Sequence, residues 1–254
     1  MKLLWRLIID EQKDPYLNMG IDEAVLNAVS SGRSRRTLRL YMWRPSAISI
    51  GRFQALDEVV NLEACNKRGV AVVRRITGGG SVFHDEKGEV TYSIAVEEDR
   101  LPSRDFIESF RFLAGGVVTA LQSLGLPAAF APINDVVVNG RKISGSAQVR
   151  RDGAVLQHGT VLLGMDRRLA FELLKVPRQK LNDKSLLKAE DRVTTIRDEG
   201  IKADFQTLYK ALESGFAESL GAEFERGDLS ESEALAAEAM SRDKFKAEGW
   251  LRSR

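Results

Sequence analysis

Asn134-Asp-Val-Val-Val-Asn-Gly-Arg-Lys-Ile-Ser-Gly-Ser-Ala-Gln148 reads as two short strands joined by a tight turn. Asn139-Gly140 favours the left-handed backbone of a two-residue hairpin loop, so it links a strand over 135–138 to one starting at Arg141. A further strand is expected over 154–163. Moving outward, Leu3 to Ile9 reads as a strand. Asp14-Pro15 then places an N-cap before a proline at the first helical position. That helix carries Met19, Ala24, Val25 and Ala28 on one side and ends near Gly32. Thr37 to Trp43 alternates apolar and polar residues, Ala47 to Ile50 makes a second short strand, and Asn61 caps a helix that stops at Gly69. Strands follow over 70–74 and 89–96, the latter with Val90, Tyr92, Ile94 and Val96 on one face. Phe106, Phe110, Leu113, Val117, Leu121 and Leu124 recur at helical spacing across 103–124. Gly115-Gly116 inside that helix calls for a close backbone contact, since each costs ~1 kcal/mol relative to alanine. Helices are also expected at about 167–175, 203–220 and 230–247. Hairpin-like strands interrupted by single helices argue for an α+β fold rather than a βαβ repeat. The expectation is one domain over 1–254, with 200–254 a helical C-terminal part.

The chain has 254 residues, 43% hydrophobic and 29% charged, with a net charge of +2. The hydrophobic content suffices for a sizeable core. The near-balance of charge points away from nucleic acid and membrane, and the cluster Arg33, Arg35 and Arg36 reads as a solvated loop. With a single cysteine, Cys65, no internal disulfide framework is possible. No apolar run approaches the ~20 residues needed to span a bilayer. The polar N-terminus does not look like a secretory signal, so the expected location is cytoplasmic.

Chemistry concentrates in four segments. Residues 74–85 read Arg-Arg-Ile-Thr-Gly-Gly-Gly-Ser-Val-Phe-His-Asp. Three glycines allow positive φ and close approach of a ligand to exposed N–H groups, while Arg74 and Arg75 bring positive charge and donors suited to carboxylate or phosphate. The same stretch also fits a tight hairpin without a ligand. The second segment is the hairpin above: Lys142 stands beside Gly145, Ser146 and Ala147, where small residues leave room for an anion, or where an exposed lysine simply guards an edge. It is not a Walker A loop, because no lysine follows the second glycine. The third, Gln157-His158-Gly159-Thr160, holds one of the two histidines, His84 being the other. Two histidines and one cysteine do not furnish a zinc site; each histidine orients a loop or touches substrate. The fourth, Lys175 to Thr195, is polar and lysine-rich. It suits either a solvated connection or a loop that orders over a polyanion. Cys65, in a helix, reads as packing.

In this order the four segments resemble the lipoate–protein ligase A family, which stands with the biotin/lipoate ligases and the octanoyltransferases. The resemblance runs from about Leu3 to the end of the chain. It implies an α+β fold with a mixed β-sheet and flanking helices. It also implies a two-step reaction: lipoate and ATP give lipoyl-AMP and pyrophosphate, then a lysine amine of a lipoyl carrier domain takes the acyl group and AMP leaves. By the same resemblance Lys142 is the catalytic cation. Arg74, Thr77, Gly78, Gly79 and Gly80 form the lipoate and adenylate cradle, with Val82, Phe83 and His84 beside it. Asn134 lies near the phosphate with Asp135, a magnesium contact. Ser146 and Ala147 line the acyl channel, His158 touches the site, and Lys175 to Lys184 is the adenylate loop. The implied cofactors are ATP and Mg²⁺. The implied partners are lipoyl domains of 2-oxoacid dehydrogenase complexes, the glycine-cleavage H protein and a small accessory ligase subunit, because the chain resembles the shorter catalytic type. Octanoyltransferases on this scaffold hold the acyl group as a thioester on cysteine and need no ATP. Here Leu126 to Ile133 contains no cysteine, which favours the ligase. The octanoyl or lipoyl transferase is the alternative; a non-catalytic binder of lipoyl-adenylate or fatty acid, with no need of Lys142, is another.

Overall fold

The computed structural model describes residues 3–175 and 191–253. Strand β1 (Leu3–Lys13) leads into helix α1 (Pro15–Ser30). The Asp14 carboxylate accepts from the Tyr16 and Leu17 amides, as the Asp-Pro start predicts. After β2 (Thr37–Trp43) and β3 (Ala47–Ile50) come the short helices α2 (Leu56–Val59) and α3 (Leu62–Arg68). Helix α3 is capped by Asn61 and closed by left-handed Gly69. Strands β4 (Ala71–Arg74), β5 (Val82–His84) and β6 (Glu89–Glu97) precede α4 (Phe106–Ser123). Four strands then follow: β7 (Ala128–Ala131), β8 (Asp135–Val138), β9 (Arg141–Arg151) and β10 (Ala154–Leu162). The β8–β9 turn has φ of 50° at Asn139 and 76° at Gly140, the backbone their pairing calls for. The described chain continues with α5 (Arg167–Leu173), α6 (Phe205–Ser219), β11 (Ala222–Arg226), α7 (Glu231–Met240), a π-helical turn over Ser241–Phe245, and α8 (Glu248–Leu251).

The strands form two sheets. The larger runs β11-β1-β2-β6-β10-β9-β8-β7 and the smaller β4-β3-β5. Both are mixed: β1 is parallel to β2 and β11, β3 is parallel to β4, and the other pairings are antiparallel. Helices α4 and α6 cover one face of the large sheet over the main core, which includes Leu38, Leu40, Tyr92, Ile94 and Val136. Helix α1 lies on the other face, with α7 packed against it. The small sheet builds a second core with α2, α3 and α5. Met19, Tyr41, Trp43, Ala47 and Val73 join the two units.

The α+β expectation holds, with four local corrections. Strand β1 continues past Ile9 to Lys13 through an irregularity between Ile9 and Gln12, so polar residues extend it. The 200–254 part is not wholly helical: Ala222–Arg226 pairs parallel with Leu3–Leu7 and adds an edge strand. Ala222-Glu-Phe-Glu-Arg226 alternates over only five residues, with Ala222 and Phe224 on the main core, and the open backbone edge of β1 supplies the pairing. Helix α1 is buried on most sides, not along one stripe, because the sheet and α7 enclose it. At the start of α4, Phe106 is 58% exposed, with the Arg150 guanidinium 4.3 Å above its ring. The Gly115-Gly116 expectation is met: a Cβ at Gly116 would lie 2.1 Å from the Phe216 ring of α6.

Candidate active site

A cavity of about 280 Å³ opens between the α1 face of the large sheet and the small sheet. Strand alternation explains its position. Along β10, Ala154 and Leu156 pack against α1, and His158, Thr160 and Leu162, farther along the same face, line the cavity. Trp43, Thr91, Ala147 and the segment Gly79–His84 add walls. Of the residues expected at the site, the structure brings Gly79, Gly80, Val82, Phe83, His84, Asn134, Lys142, Ser146, Ala147 and His158 to this one cavity.

Lys142 projects from β9 with its Nζ 2.7 Å from Asp135 Oδ1, a close ion pair that lacks hydrogen-bond alignment. Both side chains are partly exposed, which screens the pair. Residues beyond the hairpin clamp the Lys142 backbone: its amide donates to Arg192 O, and its carbonyl accepts from the Thr194 amide. A Cβ on Gly145 would lie 2.5 Å from Lys142 Nζ, so glycine there leaves the space the ammonium occupies. Asn134 and Ser146 lock β8 to β9, the Ser146 amide and hydroxyl both donating to Asn134 O at 2.9 Å.

Below the cavity is a buried polar network that the sequence motifs only partly announce. Arg75 is its centre. Its Nε donates to Thr77 Oγ1 at 3.0 Å, Nη1 to Ser49 O and Oγ at 3.0 and 3.2 Å, and Nη2 to Gly78 O and Gly80 O at 2.6 and 2.7 Å. These contacts match all five N–H donors of a guanidinium with neutral oxygens. Burial brings its pKa down to about 10. Arg75 therefore shapes the triple-glycine loop and projects charge, but keeps no donor free for a ligand. The carbonyls of Gly78 and Gly80 face the guanidinium across trans peptides, so the amides of Gly79 and Ser81 face the opposite way. Gly79 has φ of +89°, and a Cβ there would crowd Arg75 Nη2 at 3.1 Å.

On one side of Arg75, Thr77 Oγ1 is 2.8 Å from His158 Nε2, and His158 Nδ1 is 2.9 Å from Asp22 Oδ2. Asp22 also accepts from Tyr41 Oη and Arg39 Nη1, both at 3.0 Å. Burial alone would raise the Asp22 carboxyl, but the His158 hydrogen bond and the Arg39 charge outweigh it, and the net shift is downward. Burial lowers the His158 pKa against the pull of Asp22. On the other side, Ser49 Oγ is 2.8 Å from His84 Nε2, and His84 Nδ1 is 2.7 Å from Glu89 Oε1. Trp43 stacks on the His84 ring at 3.9 Å.

Several expected site residues lie elsewhere. Arg74 is fully buried behind the cavity and donates to the carbonyls of Gly51, Arg52, Gln54, Trp250 and Leu251. It pins α8 to the strand before the glycine loop, and strand alternation gives the site to its neighbour Arg75. Thr77 and Gly78 support the loop from behind the lining. Lys175 does not line the cavity; its Nζ donates to Asp57 O at 2.8 Å. The rest of the expected adenylate loop, 176–184, lies outside the described residues. Asp22, Arg39, Ser49 and Glu89 went unread. Nothing on α1 separates Asp22 from its neighbour Glu23, and its partners come from two other elements, β2 and β10. Cys65 is buried in the small core, and burial pushes its thiol up to about 11.

A family profile described as "Lipoyl protein ligase A/B catalytic domain" matches residues 14–217. The chain belongs to that family. It is 37% identical over 271 residues to "Octanoyltransferase LipM" of Kyrpidia tusciae, covering 97% of each chain. Among solved structures, the bi-partite lipoate protein ligase of Thermoplasma acidophilum superposes with a TM-score of 0.90 at 30% identity, over 99% of this chain and 97% of that one. A lipoate-protein ligase A bound with ATP superposes with a TM-score of 0.84 at 27% identity, over 100% and 99% of the chains. This family member is thus an enzyme of lipoate ligase or transferase type on the fold of the lipoate protein ligases. Among its described residues no helix is long and apolar enough to cross a membrane.

Proposed function

We propose that the chain joins a medium-chain acid, lipoate in the first instance, to a lysine of a lipoyl-type carrier domain by way of an acyl-adenylate made from ATP. The observation that carries this is the cavity's set of reactive groups: an ammonium and a tri-glycyl loop, with no thiol. The chain's one cysteine is buried in the small core. Covalent catalysis through a thioester needs an accessible thiolate, and a thiol held at about 11 is protonated at neutral pH.

In the proposed reaction a lipoate carboxylate oxygen bonds to the α-phosphorus of ATP and pyrophosphate leaves. The acceptor amine then bonds to the acyl carbon, AMP leaves, and the amine loses its proton. Negative charge grows on oxygen in both steps. Lys142 and the outward amides of the glycine loop offset that charge, each such donor contributing ~3 kcal/mol. Asp135, beside Lys142, suits Mg²⁺ held mainly by phosphate and water oxygens, since that ion is commonly bound by one or two carboxylates. Candidate acceptors are the lipoyl domains of 2-oxoacid dehydrogenase complexes and the glycine-cleavage H protein. The likeness to a bi-partite ligase supports a second, small polypeptide as helper.

A second reading is octanoyl transfer from a carrier thioester without ATP, which the name of the LipM relatives favours. One experiment separates the two. The protein is mixed with an apo lipoyl domain and either lipoate with Mg-ATP or an octanoyl-carrier thioester, each with and without a candidate helper subunit. The acceptor is then weighed by mass spectrometry. Lipoylation only with ATP supports the proposal; octanoylation from the thioester alone overturns it in favour of the second reading.

A further inference from the structure

Arg75 is held from two sides by arrangements of the same design. Asp22, His158 and Thr77 form one, and Glu89, His84 and Ser49 form the other. Every member is buried. They come from α1, β3, β5, β6, β10 and the glycine loop, so the fold gathers them from distant parts of the chain.

We propose that Asp22 and Glu89 are positioning residues, each fixing a histidine as the neutral Nδ1–H tautomer so that Thr77 and Ser49 orient Arg75 and, through it, the Gly78–Gly80 loop. The hydrogen-bond inventory leads to this arrangement. Asp22 Oδ2 is an acceptor already serving the Tyr41 hydroxyl, so His158 Nδ1 donates to it. Neutral His158 then has an acceptor at Nε2, and the Thr77 hydroxyl donates to that nitrogen. The Thr77 oxygen is left to accept from Arg75 Nε. On the other side, Glu89 Oε1 accepts from the Thr91 hydroxyl, whose oxygen accepts from Trp43 Nε1. His84 Nδ1 donates to the same Oε1, the Ser49 hydroxyl donates to His84 Nε2, and Ser49 Oγ accepts from Arg75 Nη1. The guanidinium is held in plane by both hydroxyls, and its Nη2 fixes the two loop carbonyls. The consequence for catalysis rests on the acyl-transfer reading above; the effect on tautomers and loop does not.

Two histidines in the chain make the test tractable. Long-range ¹H–¹⁵N correlation spectra of ¹⁵N-labelled protein at neutral pH read both imidazoles directly, with His84→Gln used to assign them. Protonated Nδ1 and unprotonated Nε2 are expected in both rings. The Nε2–H tautomer or an imidazolium in either ring of the wild type overturns the proposal, whatever the variants do. In Asp22→Asn, Arg39 retains the side-chain oxygen, the amide faces His158, and the ring turns to Nε2–H. The amide resonances of Gly78, Gly79 and Gly80 shift with it. Should Asp22→Asn fail to fold, Glu89→Gln gives the same reading on the His84 side. Where transfer is measurable, either variant lowers kcat by about 10- to 100-fold, the size of effect seen when the partners that orient metal-binding side chains are removed, with the acceptor KM little changed. A switched tautomer with unmoved glycine amides and unchanged kcat overturns the positioning role. A wild type without any transfer counts against the proposed function and leaves the tautomer and loop results standing.

Discussion

At the scale of single residues, the proposed function puts the chemistry on the ammonium of Lys142, whose neighbours decide where it sits. Lys142→Ala is expected to lower kcat by two to three orders of magnitude, about 3 kcal/mol of transition-state stabilisation, with an unchanged melting temperature because the side chain is partly exposed. Gly145→Ala tests its placement. The new Cβ meets the far end of a flexible side chain, so the protein folds normally while the ammonium moves and kcat falls; thermal melting and steady-state kinetics on one preparation check both. The places of Lys142, Ser146, Ala147, Gly79 and Gly80 at one cavity were legible in the pairing of the glycine loop with the lysine hairpin, not in either segment alone. Arg74 and Arg75 were not separable in the same way. Two adjacent arginines carry equal charge, and only the strand's alternation, anchored by the carbonyls of Trp250 and Leu251, turns Arg74 away from the cavity. Asp22 and Glu89 gave little warning, since what makes them matter is a histidine met across the sheet.

At the scale of elements, the helices and hairpins were largely written in capping and turn residues. Asp14, Asn61, Gly69 and Asn139-Gly140 all act where local chemistry puts them. Gly115-Gly116 marked a close crossing before the partner helix was known. Gly116→Ala is expected to overpack α4 against Phe216 of α6 and to cost about 1–3 kcal/mol, read as a lower denaturant midpoint with an unchanged m-value. Strand β11 was hidden because its alternation spans only five residues, two of them apolar, and its partner β1 lies at the far end of the chain. The exposure of Phe106 was hidden because periodicity reports a helical face but not where the core beneath it stops.

Over the whole molecule, two buried titrations tie stability to pH. The folded His158 pKa is depressed, so between that value and the unfolded value near 6.5 the unfolded chain binds more protons. Stability is therefore lost as pH falls below about 6.5, and His158→Gln should flatten that part of the melting-temperature profile. The folded Asp22 pKa is also depressed, so its contribution is present above about 3.9 and lost as pH falls further.

The measurement that bears most directly on thiol-free acyl transfer is the activity of Cys65→Ala. With lipoate, Mg-ATP, an apo lipoyl domain and any helper subunit the wild type requires, the variant is expected to modify the acceptor at the wild-type rate, by intact mass. Abolished transfer in a variant that keeps the wild-type melting temperature would contradict the account and place the acyl group on sulfur.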